Sequence, residues 1–392
     1  MISRRINPAI YHDVRSPALT IDCNTVRASI DSLTLASDRS KLLYSVKSLT
    51  IPLLLEWMSP RIDGFSVSSV FEAELAGEYI KVPRHRHFCS PLIGIRELSS
   101  LEPGDYVTFN SLSQFEHNER LSEALNCGMR VNPKYSIAEN IRYDPCRTSS
   151  KTGLTMNEFL HNWRAGGLRA ISGIHFHTAC CTATWEPLLQ TVKVIEERLA
   201  PMLHELEWIN LGGGYKWDET TDFGPLQEAV DLLTNTYELE VFLEPGDGIV
   251  NSAGSLISSV VDLFERDGKM VAILDTTVNH LPEVFEYQYE PDVAEHVDGA
   301  AHEYILAGCS CLAGDLFGEY AFEEPLDIGS RITFENVGAY SLVKANMFNG
   351  INLPSIYIQR EDGELELVRE FTYEDFLARC GGKAYAAARA GV

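Results

Sequence analysis

The sequence predicts a (β/α)8 barrel of the TIM type, an α/β fold, with a second, β-rich domain. Eight short apolar or β-branched runs recur between residues 41 and 246, and stretches with helix-type apolar spacing separate them. After about residue 250 the pattern changes to strands joined by turns. Regular alternation of strands and helices is typical of a parallel sheet covered by helices. An open doubly wound sheet fits the same strand count, because counting strands does not establish closure.

The eight predicted barrel strands are, in order, KLLYSVK, DGFSVSS, HRHFCSP, DYVTFNS, GMRVNP, AISGIHFH, EWINLGGG and EVFLEPG. Helices are predicted between them, as in SQFEHNERLSEALN and TWEPLLQTVKVIEERLAPML. We therefore assign residues 41–253 to the barrel. Residues 1–40 and 254–392 are assigned to the β-rich domain, which we expect to contribute to the site and to a subunit interface. The first of these segments contains a strand and then a helix, SPALTIDCNTVRASIDSLTLA.

Composition narrows the function classes. The chain has 392 residues, 45% of them hydrophobic, and 32 basic against 56 acidic residues give a net charge of −24. Such acidity disfavours binding to nucleic acid or to an anionic membrane surface and attracts cationic small molecules, although it also aids solubility. The nine cysteines form no C-x-x-C pair, and residues 1–13 lack the apolar core of a signal peptide. We expect a cytoplasmic protein without a membrane span.

Several chemically useful side chains fall at predicted strand ends, which meet at one mouth of a barrel. Lys47 ends the first strand, His175 and His177 the sixth, Gly212–Gly214 the seventh and Glu244 the eighth. Each alone has an ordinary explanation, such as a strand reaching water or a surface turn. Together they suit pyridoxal phosphate, which needs a lysine for its imine, backbone amides for its phosphate and a carboxylate for its ring nitrogen. The Cys and His spacings do not match a structural zinc site, so no metal is expected.

At these residues the sequence resembles the fold-III pyridoxal-phosphate decarboxylases, which share an alanine-racemase/ornithine-decarboxylase-like architecture. It is most similar to their carboxynorspermidine/carboxyspermidine branch. The resemblance covers nearly the whole chain. Its most specific stretches are YSVKS, GIHFHT, LGGGY, LEPGDGIV, LDTTVNHLPEV, GCSCLAGD and GAYSLVKANMFNGINLP.

The resemblance implies a role for each matching residue. The implied cofactor contacts are Lys47 (the Schiff-base lysine), His177 (stacked on the ring), Gly212, Gly213 and Gly214 (the phosphate loop), Glu244 (the pyridine nitrogen) and Tyr340 (the phosphate). Cys311 is implied to reprotonate the decarboxylated carbon, in a loop that enters the neighbouring active site of a head-to-tail homodimer. Asp247, Glu283 and Asp315 are implied to face the ammonium groups of the substrate.

The implied reaction is α-decarboxylation of carboxynorspermidine or carboxyspermidine to norspermidine or spermidine, a step of polyamine biosynthesis. Two departures leave the exact substrate open: Cys181 stands near a position where related enzymes have glutamate, and Asn279 stands where a cysteine is expected. The alternatives are a decarboxylase of diaminopimelate, ornithine, arginine or another metabolite that carries an aminocarboxypropyl group. The remaining hypotheses are a racemase, a catalytically silent relative that binds partners, and a non-enzymatic cofactor carrier, which would not need Cys311.

Overall fold

The chain forms two compact units, each built from its own sheet. We call Arg27–Ile249 the barrel unit, and the chain on both sides of it the sheet unit. The structure, a computed structural model, describes residues 14–79, 85–138 and 144–382. The domain limits predicted at 40/41 and 253/254 stay a prediction, and the segment 1–13, interpreted above as lacking a signal-peptide pattern, lies outside the described residues.

The first two elements are the strand and helix that the sequence predicts near the N-terminus. Strand β1 (Ala18–Asp22) belongs to the sheet unit, and helix α1 (Cys23–Ala36) continues into the barrel unit. The carboxylate of Asp22 accepts hydrogen bonds from the Asn24 N–H (3.0 Å) and the Thr25 hydroxyl (2.7 Å). It therefore satisfies groups that the first turn of α1 would otherwise leave without partners.

Eight parallel strands form a closed barrel, in which each strand pairs with the next and the last pairs with the first. The strands are β2 (Ser40–Ser45), β3 (Gly64–Val67), β4 (His85–Cys89), β5 (Tyr106–Phe109), β6 (Asn126–Asn132), β8 (Gly173–His175), β9 (Trp208–Asn210) and β10 (Glu240–Leu243). Closure is made by β10 against β2, where Val241 pairs with Ser40 and Leu243 with Leu42. A two-residue strand, β7 (Leu154–Thr155), pairs with the end of β6. All eight predicted strands are present, so the predicted barrel is confirmed and the open doubly wound alternative is wrong.

Helices follow the barrel strands, and the longest of them, Glu186–Leu203, buries one face. They are α2 (Pro52–Met58), α3 (Val70–Tyr79), α4 (Ile95–Leu98), α5 (Leu112–Asn118), α6 (Met156–Arg164), α7 (Glu186–Leu203), α8 (Gly224–Tyr237) and α9 (Asp247–Val250). In α7 the buried side chains include Leu188, Val192, Ile195 and Leu199, which recur every three or four residues. That spacing places them on one face of a helix, as the sequence pattern predicts.

Aromatic rings fill the barrel interior, and the largest of them is Trp208 on β9, which is 2% exposed and packs against His87, Tyr106 and Phe242. It clusters with Leu43 and Phe242. A Cβ at Gly173 would lie 2.1 Å from the Trp208 ring, and a Cβ at Gly128 would lie 2.3 Å from it. Both distances are far below van der Waals contact, so β6 and β8 need glycine where the indole crosses them.

The sheet unit is a mostly antiparallel sheet that incorporates the N-terminal strand. Its strands after β1 are β11 (Gly254–Arg266), β12 (Lys269–Leu274), β13 (His302–Ala307), β14 (Leu316–Phe322), β15 (Arg331–Phe334), β16 (Ser355–Gln359) and β17 (Leu365–Arg369), and its helices are α10 (Pro282–Tyr287) and α11 (Tyr373–Arg379). The strand order is β14-β13-β12-β11-β1-β16-β17, and β15 pairs with β11. Strand β1 thus lies between an antiparallel and a parallel partner. The predicted β-rich second domain is confirmed.

Among the helices in the part of the chain that the structure describes, none is both long and apolar enough to cross a lipid bilayer.

Candidate active site

Lys47 lies in a 3-10 turn directly after β2, at the carboxyl end of the barrel. Side-chain hydrogen bonds hold this turn: Ser48 Oγ donates to the Ser45 carbonyl (2.7 Å), and Thr50 Oγ1 donates to the Val46 carbonyl (2.8 Å). Val46 and Ser48 are buried, whereas Lys47 is exposed. A fixed backbone therefore presents the Lys47 side chain at the mouth of the barrel.

The Lys47 turn is joined to the end of β10. Ser45 donates from its hydroxyl to the Glu244 carbonyl and from its N–H to the Pro245 carbonyl, both at 2.9 Å. The Glu244 N–H then donates to the Gly212 carbonyl at 2.7 Å. The lysine, the predicted carboxylate and the glycine loop thus share one backbone network, which brings together residues that are almost 200 positions apart in sequence.

The loop after β9, Gly212–Gly214, requires glycine because its backbone packs directly against neighbouring carbonyl groups. A Cβ at Gly212, Gly213 or Gly214 would lie 2.1 to 2.4 Å from a carbonyl oxygen in the segments that follow β8 and β10. The φ angles of Gly212 and Gly214 are +71° and +96°, a left-handed region that favours glycine. Without Cβ atoms the backbone can approach a ligand closely, and this property fits the phosphate group of pyridoxal phosphate.

His177 lies against the glycine loop in one fixed orientation. Its Nδ1 accepts a hydrogen bond from the Gly213 N–H at 3.2 Å. Burial, together with the positive charges of Lys47 and Arg130, holds the pKa of His177 well below its ordinary value. The imidazole is therefore neutral, with its proton on Nε2. A neutral ring suits the stacking role that the resemblance implies.

Glu244 is a buried carboxylate, 8% exposed, with a partner on each oxygen. Asn210 Nδ2 donates to Oε1 at 2.7 Å, and His175 Nε2 lies 3.4 Å from Oε2. Burial favours the neutral acid, but His175 and Lys47 outweigh burial and hold the pKa of Glu244 well below its ordinary range. Glu244 is therefore ionised, as a partner for a protonated ring nitrogen must be.

Asp247, one of the three predicted substrate acids, already has a cation beside it. Lys216 Nζ lies 3.1 Å from Asp247 Oδ2, and the side chains are 39% and 10% exposed, respectively. The thiol of Cys181 points at the same oxygen from 3.8 Å. Asp247 thus lies at the barrel mouth, but an ammonium group of a ligand would have to compete with Lys216 for it.

A cavity of about 640 Å³ opens beside Lys216. Its wall includes Trp185, Trp217, Asp218 and Asp222. The Trp217 ring is fixed, because its Nε1–H is directed at two acceptors on α1. Aromatic faces and carboxylates are the groups with which proteins hold ammonium ligands.

Cys311 and Asp315 lie together in the loop between β13 and β14 of the sheet unit. Cys311 is exposed, and its N–H donates to Asn349 Oδ1 at 2.8 Å. Asp315 is 3% exposed, and its two oxygens accept from the backbone N–H groups of Val278 (2.8 Å) and Ser310 (2.9 Å). These bonds give Asp315 the role of holding the Cys311 loop in shape, in addition to the substrate role that the resemblance implies.

Glu283 and Tyr340 meet at one lysine in the sheet unit. Lys344 Nζ lies 2.8 Å from Glu283 Oε1, and its ammonium lies 5.5 Å from the centroid of the Tyr340 ring. Tyr340 has a φ of +57°, which is rare for a residue with a side chain. Such backbone strain is often found at binding sites, so Tyr340 stays a candidate for the phosphate contact.

Sequence reasoning missed three polar residues of the barrel site, Cys89, Asn210 and Lys216. It placed His175 at a strand end but gave it no role, and the structure places His175 beside Glu244. Cys89 ends β4 and Asn210 ends β9, so their positions at strand ends could have identified them. Lys216 lies in a loop, where no pattern marks it. Within the described ranges, no group of three or more His, Cys, Asp or Glu side chains is arranged to hold a metal ion.

Comparison with known proteins gives a consistent result over both units. The family model for the pyridoxal binding domain of pyridoxal-dependent decarboxylases matches residues 23–251, and the model for their C-terminal sheet domain matches residues 248–338. A carboxynorspermidine/carboxyspermidine decarboxylase of Campylobacter jejuni is 31% identical, over 94% of this chain and 99% of its own. A carboxyaminopropylagmatine decarboxylase of Synechocystis is 33% identical, over 87% of this chain and 88% of its own.

A solved structure shows the same architecture. The crystal structure of the Campylobacter jejuni carboxynorspermidine decarboxylase, complexed with norspermidine, matches with a TM-score of 0.84. The match covers 93% of this chain and 100% of that chain, at 29% identity. The pyridoxal-binding model spans more than half of the residues, and a relative of similar length aligns along nearly all of them. The chain therefore belongs to the pyridoxal-dependent decarboxylases, and its cofactor is pyridoxal phosphate.

Proposed function

We propose that the protein removes the α-carboxyl group of carboxynorspermidine or carboxyspermidine as CO2. The observation that carries this proposal is the near-full-length similarity to the Campylobacter jejuni enzyme of that name. The solved relative is complexed with norspermidine, which is carboxynorspermidine without its carboxyl group. The net charge of −24 favours a cationic substrate, since it raises the local concentration of polyamines around the protein.

Pyridoxal phosphate, when bound, supplies the electron sink that accepts the electron pair left after CO2 departs. We assign Lys47 as the residue that carries it, and the Gly212–Gly214 loop as the holder of its phosphate, with Tyr340 as a second phosphate contact. Glu244, ionised and fixed by Asn210, would hold the proton of the ring nitrogen. The open backbone of the glycine loop and the depressed pKa of Glu244 support these assignments.

His177 would lie flat against the cofactor ring. Its neutral state supports this role, because a cationic imidazolium would repel both the protonated ring nitrogen of the cofactor and the Lys47 ammonium. The bond from the Gly213 N–H fixes the ring plane before the cofactor arrives, so little side-chain entropy is lost on binding.

For the substrate, we propose that a distal ammonium group binds Asp247 and displaces Lys216 from it. The cavity beside Lys216 supports this proposal, since its aromatic and acidic wall suits an extended cation. Glu283 is proposed to bind a second amine through the same kind of exchange, with Lys344 as the cation that leaves. Asp315 is proposed to face the substrate from the Cys311 loop while it holds that loop in shape.

Cys311 is proposed to deliver the proton that replaces the lost carboxyl group. Its exposure in a loop fixed by Asn349 supports this role. We further propose that the Cys311 loop serves the site of a neighbouring subunit in a head-to-tail homodimer. A cytoplasmic location is also proposed, and the nine free cysteines of the structure support it, because reducing compartments keep thiols unpaired.

A second candidate function is decarboxylation of carboxyaminopropylagmatine. The Synechocystis relative of that name favours it, at 33% identity. The two substrates differ at the distal end, where agmatine carries a planar guanidinium and a polyamine carries an ammonium. A single carboxylate such as Asp247 could bind either group, although a guanidinium would make a bidentate pair.

The substrate is tested by mass spectrometry of the products from a panel of acids. The panel contains carboxynorspermidine, carboxyspermidine, carboxyaminopropylagmatine, diaminopimelate, ornithine and arginine. We expect kcat/KM for the carboxylated polyamines to exceed that for diaminopimelate, ornithine and arginine by about tenfold or more. One added charge pair between enzyme and substrate contributes about 1.5–3 kcal/mol. Equal or better efficiency with diaminopimelate or ornithine would overturn the polyamine proposal.

The cofactor assignment has its own test. Borohydride reduction of the loaded enzyme should fix pyridoxyl mass on the peptide that contains Lys47, and Lys47→Ala should lose both the label and nearly all turnover. Lys193→Ala is the matched control, since Lys193 is a helix residue paired with Glu228 on the surface. Label on another lysine in the wild type would contradict the assignment.

A further inference from the structure

The ionised state of Glu244 is only half explained by its two partners, because one of them, His175, has a partner of its own. His175 is 2% exposed, and its two ring nitrogens face different side chains. Nδ1 lies 3.6 Å from Cys89 Sγ, and Nε2 lies 3.4 Å from Glu244 Oε2. Arg130 Nη1 points at the same sulfur from 3.9 Å. Cys89 ends β4, Arg130 lies on β6 and His175 ends β8, so side chains from three barrel strands meet around the Cys89 sulfur.

We propose that Cys89 and His175 form a thiolate–imidazolium pair that positions Glu244 and keeps it ionised. The proton of the Cys89 thiol resides on His175 Nδ1, so the pair as a whole is neutral. Cys89 and His175 are positioning residues, since they act through Glu244. The inference rests on the proposed role of Glu244 as the partner of the cofactor ring nitrogen.

The charges around His175 favour this arrangement. The titratable and charged groups that act on His175 or on its two partners come from five segments of the barrel: Lys47 after β2, His87 and Cys89 on β4, Arg130 on β6, His177 after β8 and Glu244 after β10. Burial lowers the pKa of His87 to about 3, so that ring adds no positive charge. His177 is neutral for the reason given above.

The protonation states follow from the same neighbours. Burial alone would lower the pKa of His175, but the negative charges of Cys89 and Glu244 outweigh burial and raise that pKa to about 9. Burial would raise the pKa of Cys89, but His175 and Arg130 outweigh it and lower the pKa of this thiol below its ordinary value. Each partner therefore stabilises the charged form of the other.

The pair also explains why a cation next to Glu244 does not weaken it. A lone imidazolium would withdraw charge from the carboxylate and reduce its hold on a proton. The thiolate of Cys89 lies on the far side of the ring and offsets part of that positive charge, whereas the Nε2 side of the imidazolium faces Glu244 Oε2, fixes the carboxylate and favours its ionised form. A neutral histidine would fix the orientation but would not keep the acid ionised as strongly.

The test is the pH profile of alkylation at Cys89 in the cofactor-free protein. Iodoacetamide labelling is followed peptide by peptide by mass spectrometry, because the chain has nine cysteines. We expect the midpoint for Cys89 below the ordinary thiol value of about 8.5, and His175→Gln should raise it by about one pH unit or more. The exposed Cys380 is the control, whose profile should not change. An unchanged Cys89 midpoint in His175→Gln would overturn the pair.

A second variant keeps the test open if His175→Gln does not fold. Cys89→Ser retains the size and a hydrogen-bonding group but cannot ionise, so the ring nitrogens of His175 should show a neutral imidazole at pH 7.5 by nitrogen NMR, against an imidazolium in the wild type. In the loaded enzyme, Cys89→Ser should lower kcat about 3- to 10-fold with KM nearly unchanged, as expected for a group that acts only in the chemical step. An imidazolium that persists in Cys89→Ser, or an unchanged kcat, would overturn the positioning role.

These outcomes are separate from those of the proposed function. The alkylation and NMR measurements need neither cofactor nor substrate. Borohydride labelling of Lys47 and the product panel report on the reaction whether or not the pair exists.

Discussion

Replacing Lys216 with methionine should strengthen substrate binding, which is unusual for a change at the edge of an active site. Lys216 Nζ lies 3.1 Å from Asp247 Oδ2, and Asp247 is the acid to which we assign a distal ammonium of the substrate. Methionine has a similar length but no charge, so Lys216→Met removes the internal competitor and leaves the carboxylate in place.

The size of the gain follows from the geometry of the ion pair. A charge-assisted hydrogen bond contributes about 1.5–3 kcal/mol when it is shielded from water. The Lys216 side chain is 39% exposed, so solvent screening reduces its pair with Asp247. We take about 1–2 kcal/mol, which corresponds to a KM that falls about 5- to 30-fold, with kcat nearly unchanged.

The assay is steady-state CO2 release from carboxynorspermidine, with matched variants. Lys193→Met is the control, because Lys193 forms a 2.9 Å ion pair with Glu228 at the surface; its KM should not change. In an Asp247→Asn background the gain from Lys216→Met should disappear, since the two side chains then no longer couple. A KM that rises in Lys216→Met would show that Lys216 itself holds the substrate, and the exchange mechanism would be wrong.

Three further outcomes are expected. Inactive Lys47→Ala and Cys311→Ala proteins, mixed under conditions that exchange subunits, should recover about a quarter of wild-type activity. Half of the dimers are then mixed, and each mixed dimer has one intact site of two. No recovery despite subunit exchange would show that Lys47 and Cys311 of the same subunit serve the same site. The pKa of Glu244 in the folded protein lies below its unfolded value of about 4.3. The stability that this carboxylate contributes is therefore present above that pH and is lost as the pH falls toward the folded pKa. In urea unfolding between pH 3 and 6, the free energy of unfolding should fall less steeply with decreasing pH in Glu244→Gln than in the wild type. Gly173→Ala places a methyl group against the Trp208 ring and should lower the free energy of unfolding by about 1–3 kcal/mol, whereas an unchanged melting temperature would contradict the close approach described above.

The barrel could be predicted because each of its strands carries its own local signal. Runs such as EVFLEPG combine β-branched or aromatic residues with a turn signal at the end, and β10 forms there. The second domain was predicted only as β-rich, and β14 shows why its strands are harder to place: Gly318 and Glu319 interrupt the apolar pattern, and pairing with β13 holds the strand in position. Closure depends on the pairing of β10 with β2, a contact between distant segments that no single stretch of sequence records.

The site shows the same division between local and distant information. Lys47 and Glu244 were predicted because each follows a strand, and strand ends in a barrel converge. The partner of Asp247 could not be predicted, since the loop that carries Lys216 has no regular pattern and its path determines where the ammonium lies. His175 was misjudged for a related reason: its neighbours are Cys89 and Glu244, which come from other strands.

The two sheets differ in one respect that bears on solubility. Every barrel strand has a neighbour on both sides, whereas the order of the other sheet ends at β14 and at β17. An end strand offers unpaired backbone groups to a strand from another molecule, which is a route to aggregation. Both end strands carry acids that form ion pairs at the surface: Glu319 on β14 pairs with Lys269, and the half-buried Glu366 on β17 pairs with Arg360. Charged groups at both edges disfavour edge-to-edge association, because pairing with another strand would have to remove these ion pairs from water.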